Sequence, residues 1–136
     1  MIVVGLGARQ NVTAEQIQDV IFTVLEEQKF TLDHLDLIAS IDREDISNAM
    51  SDAAATLMKP MTLISINRLK EENERCKTFS PTSMRQVGVP SVAEAAALAA
   101  LGEDGQLIAP RIKRTNVTAA LAIEIVTDKP LEGFVL

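Results

Sequence analysis

The sequence predicts an α/β fold: a three-layer α/β/α single domain around a mixed, mostly parallel sheet of about five strands, closed by a C-terminal antiparallel pair. Three observations predict it. Short apolar runs alternate with longer amphipathic stretches, which is the pattern of βαβ units joined by right-handed crossovers. The chain has 136 residues, which suits one domain, since typical domains run roughly 100 to 150. Hydrophobic residues make up 47% and charged residues 24%, enough apolar material to offset chain entropy without the composition of a disordered protein. Folding is therefore expected without a metal or a disulfide. The domain is expected over residues 1–126, with a tail at 127–136.

Residues 2–6 are an apolar run closed by Gly5, Leu6 and Gly7, read as a buried strand entering a tight turn. A helix should follow, because Thr13 and Gln16 stand at capping-box spacing and Ile17, Val20, Ile21, Val24 and Leu25 share one helical face. Residues 35–41 form a second apolar run, suited to a strand buried on both faces. The period then switches. Ile46, Ala49, Met50, Ala53, Ala54, Leu57 and Met58 make a second helical stripe, stopped at Lys59 and Pro60 because proline disfavours helical geometry in the residue before it. A third strand is expected at residues 61–66, and Asn67 is expected to cap a short charged helix reaching about Glu74, with a loop over 75–81. Ser91 and Glu94 match a second capping box, opening an alanine-rich helix that ends at Leu101 before Gly102. The last two strands are read at 106–109 and 117–126. The seven residues between them hold no helix, and a parallel crossover needs about a dozen, so they should pair antiparallel.

Composition excludes several function classes. Aromatics are 3% with no Trp or Tyr, which removes most base-stacking platforms, and a net charge of −6 opposes attraction to phosphate backbones. No nucleic-acid partner is expected. Cys76 is the only cysteine, so no intrachain disulfide can form, and a reducing cytoplasm is the natural setting. Met1 runs straight into an apolar strand with no basic leader, and no apolar run reaches the ~18 residues of a spanning helix. A cytoplasmic protein without a membrane partner is expected, in which the glycosylation-like triplets at Asn11 and Asn116 are chance matches.

In open α/β sheets, ligands bind beyond the carboxyl ends of the strands. Three segments could meet there. Gly5, Gly7 and Arg9 combine close backbone approach with an anion-binding helix start, although the third glycine of a dinucleotide fingerprint is missing and a plain tight turn explains the pair equally well. Ser40 and Asp42 end the second strand, where a carboxylate could bind substrate, act as a base, or simply cap the next helix. Arg111, Lys113 and Arg114 form a basic cluster on an acidic protein, suited to a ligand bearing several carboxylates or to a solvated hairpin tip. His34 has no neighbouring metal-ligand partner, so no metal site is expected, and Cys76 has no histidine nearby to activate it.

The string from Val87 through Gly88, Val89, Pro90, Ser91 and Glu94 to Leu98, with Gly5-Leu6-Gly7-Ala8-Arg9 and Thr13-Ala14-Glu15, resembles the CobE family of cobalamin-biosynthesis proteins. That family is similar to the C-terminal domain of CbiG, a cobalt-precorrin hydrolase. Ser40-Ile41-Asp42 and the segment from Ile108 and Arg111 to Val117 and Thr118 fall where the family has its strand-end and lysine-containing motifs. Strand-end position and the resemblance together give an expected substrate-binding set of Gly5, Gly7, Arg9, Ser40, Asp42, Ser91, Arg111, Lys113, Arg114 and Thr118. Where the family pattern has a cysteine and two arginines after its Gly-x-Gly, this chain has Ala8, Arg9 and Gln10, which favours binding over covalent chemistry.

Two functions follow as expectations, neither requiring a cofactor. The first is an accessory or carrier protein that holds a precorrin-type or other corrinoid tetrapyrrole by its acetate and propionate groups. The alternative, implied by the likeness to CbiG, is a hydrolase opening a precorrin lactone with acetaldehyde release, Asp42 serving the water. The chain starts at its first strand, so a complete hydrolase of the CbiG kind is not expected. Other cobalamin-pathway enzymes are further expected partners, and a purely structural role beside one of them is the third possibility.

Overall fold

The computed structural model of the chain describes residues 1–124. Its elements run β1 (Ile2–Ala8), α1 (Ala14–Glu27), β2 (Leu37–Ile41), α2 (Glu44–Leu57), β3 (Met61–Ile64), α3 (Ile66–Lys70), α4 (Pro81–Val87), α5 (Val92–Leu101), β4 (Gly105–Leu107), β5 (Ile112–Arg114) and β6 (Val117–Glu124). The six strands form one sheet in the order β3-β2-β1-β6-β4, with β5 also paired to β6. β1, β2 and β3 pair in parallel, while β6 pairs antiparallel with β1, β4 and β5. Five strands therefore point one way and β6 alone opposes them.

The mixed sheet and its C-terminal antiparallel pairing agree with the sequence, and the strand beyond the expected five is β5. β5 lies beside the first residues of β6 and β4 beside the last. Pro110 stands between them, and a residue without an N–H interrupts a ladder. Residues 125–126 of the expected last strand, and the tail at 127–136, lie outside the described residues.

α1 begins as expected, with the capping box of Thr13 and Gln16 formed in both directions and Ile17, Val20, Ile21, Val24 and Leu25 buried. α2 buries Ile46, Met50, Ala53, Ala54 and Leu57, but Met58 is not part of that stripe. It takes the left-handed C-terminal position, φ 55°, and is 87% exposed. The third strand ends two residues early, at Ile64, because Ser65 rather than Asn67 caps α3: its hydroxyl accepts from the Arg68 N–H. α4 falls where no helix was expected, opened by the Ser80 hydroxyl accepting from Ser83 N–H and by Pro81.

The expected turn at Gly5 to Gly7 is not a turn. β1 continues through both glycines to Ala8, and their role is set by α5, which crosses β1 there. A Cβ on Gly5 would lie 2.0 Å from the Ala93 carbonyl oxygen and 2.6 Å from the Ala97 nitrogen. Strand glycines and helix alanines thus let two backbones meet, which explains both the alanine content of α5 and the missing side chains beneath it. α5 covers this face with α3 packed against it, and α1 and α2 pack together on the other.

At the C-terminal end of α5 the fold buries a charge. Glu72, with 5% side-chain exposure, accepts from Arg68 at 2.7 Å and from Arg75 at 2.8 Å. The same arginines donate to the carbonyls of Ala99 and Gly102, groups that the end of α5 leaves unpaired, and to that of Gly105 at the start of β4.

Candidate functional site

The carboxyl ends of β1 and β2, the β5–β6 hairpin and α4 enclose an open cleft of about 750 Å³, a size that falls within the range of small-molecule sites. Sheet direction explains why they meet. β1 and β5 run the same way, and β6 returns antiparallel beside β1, so the hairpin turn at Thr115 and Asn116 lies next to the end of β1. The Arg9 N–H donates to the Asn116 carbonyl at 2.9 Å, closing the two segments together.

Among the described residues, five cations line this cleft: Arg9, Arg43, Arg111, Lys113 and Arg114. Asp45 is the single acidic residue of the lining among the described residues, and it pairs with Arg43. Arg43 Nε donates to Asp45 Oδ1 at 3.0 Å, Nη2 to Oδ2 at 2.5 Å, and Nη1 to the Ala8 carbonyl at 3.1 Å. The hydrogen bonds from Arg43, with its positive charge, hold the Asp45 carboxyl below its ordinary value of 3.8. Arg114 approaches Glu27 at 3.6 Å with both side chains about half exposed, a weak contact. The α4 side is neutral, made of Ser80, Thr82, Ser83, Gln86 and Val87, with Val92 of α5 beside it.

Of the residues expected at a site, Gly7, Arg9, Arg111, Lys113, Arg114 and Thr118 line the cleft. Gly5 does not, since it is covered by α5. Ser40 is fully buried, its hydroxyl donating to the Leu6 carbonyl at 2.8 Å. Ser91 is fully buried as the cap of α5, accepting from the Glu94 N–H at 3.3 Å. Asp42 is exposed beside the end of β2 but outside the lining. Sequence reasoning missed Arg43 and the whole of the α4 side. Arg43 had a usable signal, because it stands two residues beyond Ile41, the last residue of a strand whose carboxyl end faces the same edge.

Glu94 also departs from its expected part. Its backbone completes half of the capping box, but its carboxylate accepts from the Lys77 and Thr78 N–H groups, the Thr78 hydroxyl and the Arg111 N–H. Cys76 lies nearby, and burial, followed by the Glu94 charge, pushes its thiol up to about 11. It stays a protonated thiol at neutral pH, unsuited to nucleophilic attack. His34 is exposed, its Nδ1 accepting the Thr31 N–H at 2.9 Å.

Residues 2–122 match the family model for the C-terminus of the cobalamin synthesis G protein. The chain belongs to this family. Among its relatives, protein CobE of a Sinorhizobium species is 30% identical over 121 residues, covering 89% of this chain and 79% of the relative. The crystal structure of CobE, a protein from the cobalamin biosynthetic pathway, superposes with a TM-score of 0.86 at 29% identity, over 94% of this chain and 92% of that one. The cobalamin biosynthesis protein chiG from Agrobacterium tumefaciens gives 0.75 at 29% identity, over 93% and 100%. Family membership makes this a protein of cobalamin biosynthesis, and the matched residues include every described residue that lines the cleft. That pathway suggests corrinoid-related partners. Among the described residues no helix is long and apolar enough to cross a membrane.

Proposed function

We propose that the chain binds a precorrin-type tetrapyrrole in the cleft, as an accessory or carrier protein of the pathway. One observation carries the reading: five cations from three separate segments converge on one cleft of a chain whose net charge is −6. Such a cleft focuses a positive field on an acidic molecule, and guanidinium groups suit carboxylates. Corrinoid precursors carry several acetate and propionate groups around a ring, so their charge would be shared among Arg9, Arg111, Lys113 and Arg114 while the ring edge meets the neutral α4 side. The expected set of ligand contacts is accordingly Gly7, Arg9, Arg111, Lys113, Arg114 and Thr118, joined by Arg43.

The hydrolytic alternative has less support in the geometry, because Asp42, its candidate base, stands outside the cleft lining. Cys76 is the only cysteine, so no intrachain disulfide forms, and on that ground we assign this binding step to the reducing cytoplasm.

Absorption titration with dicyanocobyrinic acid, a corrin polycarboxylate, tests the reading, run beside its uncharged methyl ester. The acid should shift the spectrum and bind more weakly as salt rises, and the ester should bind far less. Equal affinity for acid and ester, or no binding of the acid, would reject it. Incubation with a lactone-bearing pathway intermediate should leave the ligand mass unchanged; a hydrolysed product would favour the enzyme instead.

A further inference from the structure

Glu94 stands on the first turn of α5 and is fully buried. Oε1 accepts from the Lys77 N–H at 2.8 Å and the Thr78 N–H at 2.9 Å. Oε2 accepts from the Thr78 hydroxyl at 2.8 Å and the Arg111 N–H at 2.9 Å. Four donors match the roughly four acceptor sites of a carboxylate, and none of the four is a cation. A capping glutamate would turn back to its own helix; this one reaches segments 16 and 17 residues away. Those segments lead into the two unlike sides of the cleft. Thr78 is followed, past Phe79, by Ser80, which opens α4, and Arg111 opens the basic hairpin.

We propose that Glu94 is a positioning residue: one buried carboxylate that fixes the spacing between the cationic hairpin and the α4 side of the cleft. Its consequence for binding rests on the tetrapyrrole reading above, whereas its mechanical part does not. The donor pattern explains why a carboxylate is needed. In Glu94→Gln the amide oxygen can still accept from Lys77 and Thr78, and the Thr78 hydroxyl can rotate to accept from the new NH2. The Arg111 N–H cannot, so it faces a donor and is released. Glutamine should therefore free the hairpin while leaving the other arm in place.

Amide hydrogen exchange without ligand tests the mechanical part, on the wild type, Glu94→Gln and Ile21→Val, a core change under α1 that lowers stability without touching this network. In Glu94→Gln, exchange over residues 112–118 should rise about tenfold relative to wild type, the scale of one lost hydrogen bond to a charged acceptor, with residues 77–80 little changed. Unchanged hairpin exchange, or an equal rise in Ile21→Val, would overturn the proposal. If Glu94→Gln does not fold, Thr78→Val keeps the question open to test: it should raise exchange at residues 77–80, and full protection there would also overturn it. Titration with dicyanocobyrinic acid then reads the consequence. Affinity should fall several-fold in Glu94→Gln and hold in Ile21→Val, and equal affinity in both would reject the positioning role. Failure of the wild type itself to bind would instead reject the tetrapyrrole reading, and hydrogen exchange alone would decide whether Glu94 braces the cleft.

Discussion

Arginines gather at both ends of α5 and are used in opposite ways. At its C-terminal end, Arg68 and Arg75 close on the buried Glu72 and donate to the carbonyls of Ala99, Gly102 and Gly105. Every charge there meets a partner that the fold itself supplies. At the cleft, by contrast, no acidic side chain among the described residues pairs with Arg9, Arg111 or Lys113. Both groups are arginine-rich stretches on an acidic chain, so sequence clustering does not distinguish them. What does is whether the fold provides the counter-charge, because a partly buried cation matched by protein is structural, and one left facing a cleft is available to an anion from outside.

The comparison can be broken most severely through the helix both regions share. Gly5→Ala would drive a Cβ into the Ala93 carbonyl, and since backbone on both sides must move, the expected cost is about 4 kcal/mol or more. Chemical denaturation should show loss of the cooperative fold, and near-wild-type stability would mean that α5 can lift without harm. Next in size is Glu72→Ala, which strands two arginines against each other. Breaking a buried pair costs about 3 to 5 kcal/mol, and as both arginines are one-third exposed the lower figure applies, on the order of a 10 °C fall in melting temperature. Corrin binding, measured below that temperature, should be preserved. A variant that kept its stability but lost binding would invert the roles assigned to the two groups.

Much of the frame was legible before any coordinates. The stripe on α1 and its Thr13 box, the three parallel strands and the antiparallel finish are local signals of period and capping, and they agree with the structure. What escaped depends on contacts distant in sequence. The glycines of β1 read as a turn because nothing local shows that α5, nearly ninety residues later, presses on them. α4 escaped because its seven residues bury none fully, leaving no stripe to detect. Glu94 matched a cap three residues after Ser91, a pattern correct for its N–H and wrong for its carboxylate. For the site, the basic cluster at 111–114 was visible as charge, whereas Gly5 and Ser40 were placed near a ligand by their position at strand ends and Ser91 by resemblance, and all three lie buried.

A third, smaller effect concerns affinity rather than stability. Replacing Lys113 and Arg114 together by Gln removes two exposed charges, and surface changes of this kind stay within about 0.5 kcal/mol of wild-type stability. Binding of dicyanocobyrinic acid should weaken about tenfold at low salt and much less at high salt, since exposed charges are screened over about 10 Å at 0.1 M. Unchanged low-salt affinity would return the hairpin to a solvated tip.

The smallest effect is expected at Asp45, and it sharpens the comparison because Arg43 is the cleft cation that the fold pairs most closely, at 2.5 Å against 3.6 Å for Arg114 with Glu27. The hydrogen bonds from Arg43 lower the Asp45 carboxyl below 3.8, so the sign of its pH dependence is fixed. The pair contributes stability above the unfolded-state value, and the contribution is lost as pH falls through the lower folded value. Wild-type stability should accordingly drop more steeply below about pH 4 than that of Asp45→Asn, by a small margin because both groups are partly exposed and screened. Two effects then compete in ligand binding. Removing this acidic residue from the cleft strengthens its positive field, while losing one ionic contact loosens the orientation of Arg43. An asparagine oxygen can still accept from Nε, so the field should win, tightening dicyanocobyrinic acid about twofold at low salt and leaving affinity unchanged at about 0.5 M salt. Weaker binding at every salt concentration would show that orientation wins. Arg43 would then belong with Arg68 and Arg75, as a cation that the fold has already committed, and its neighbour Asp45 would be part of the binding geometry rather than a brake on its charge.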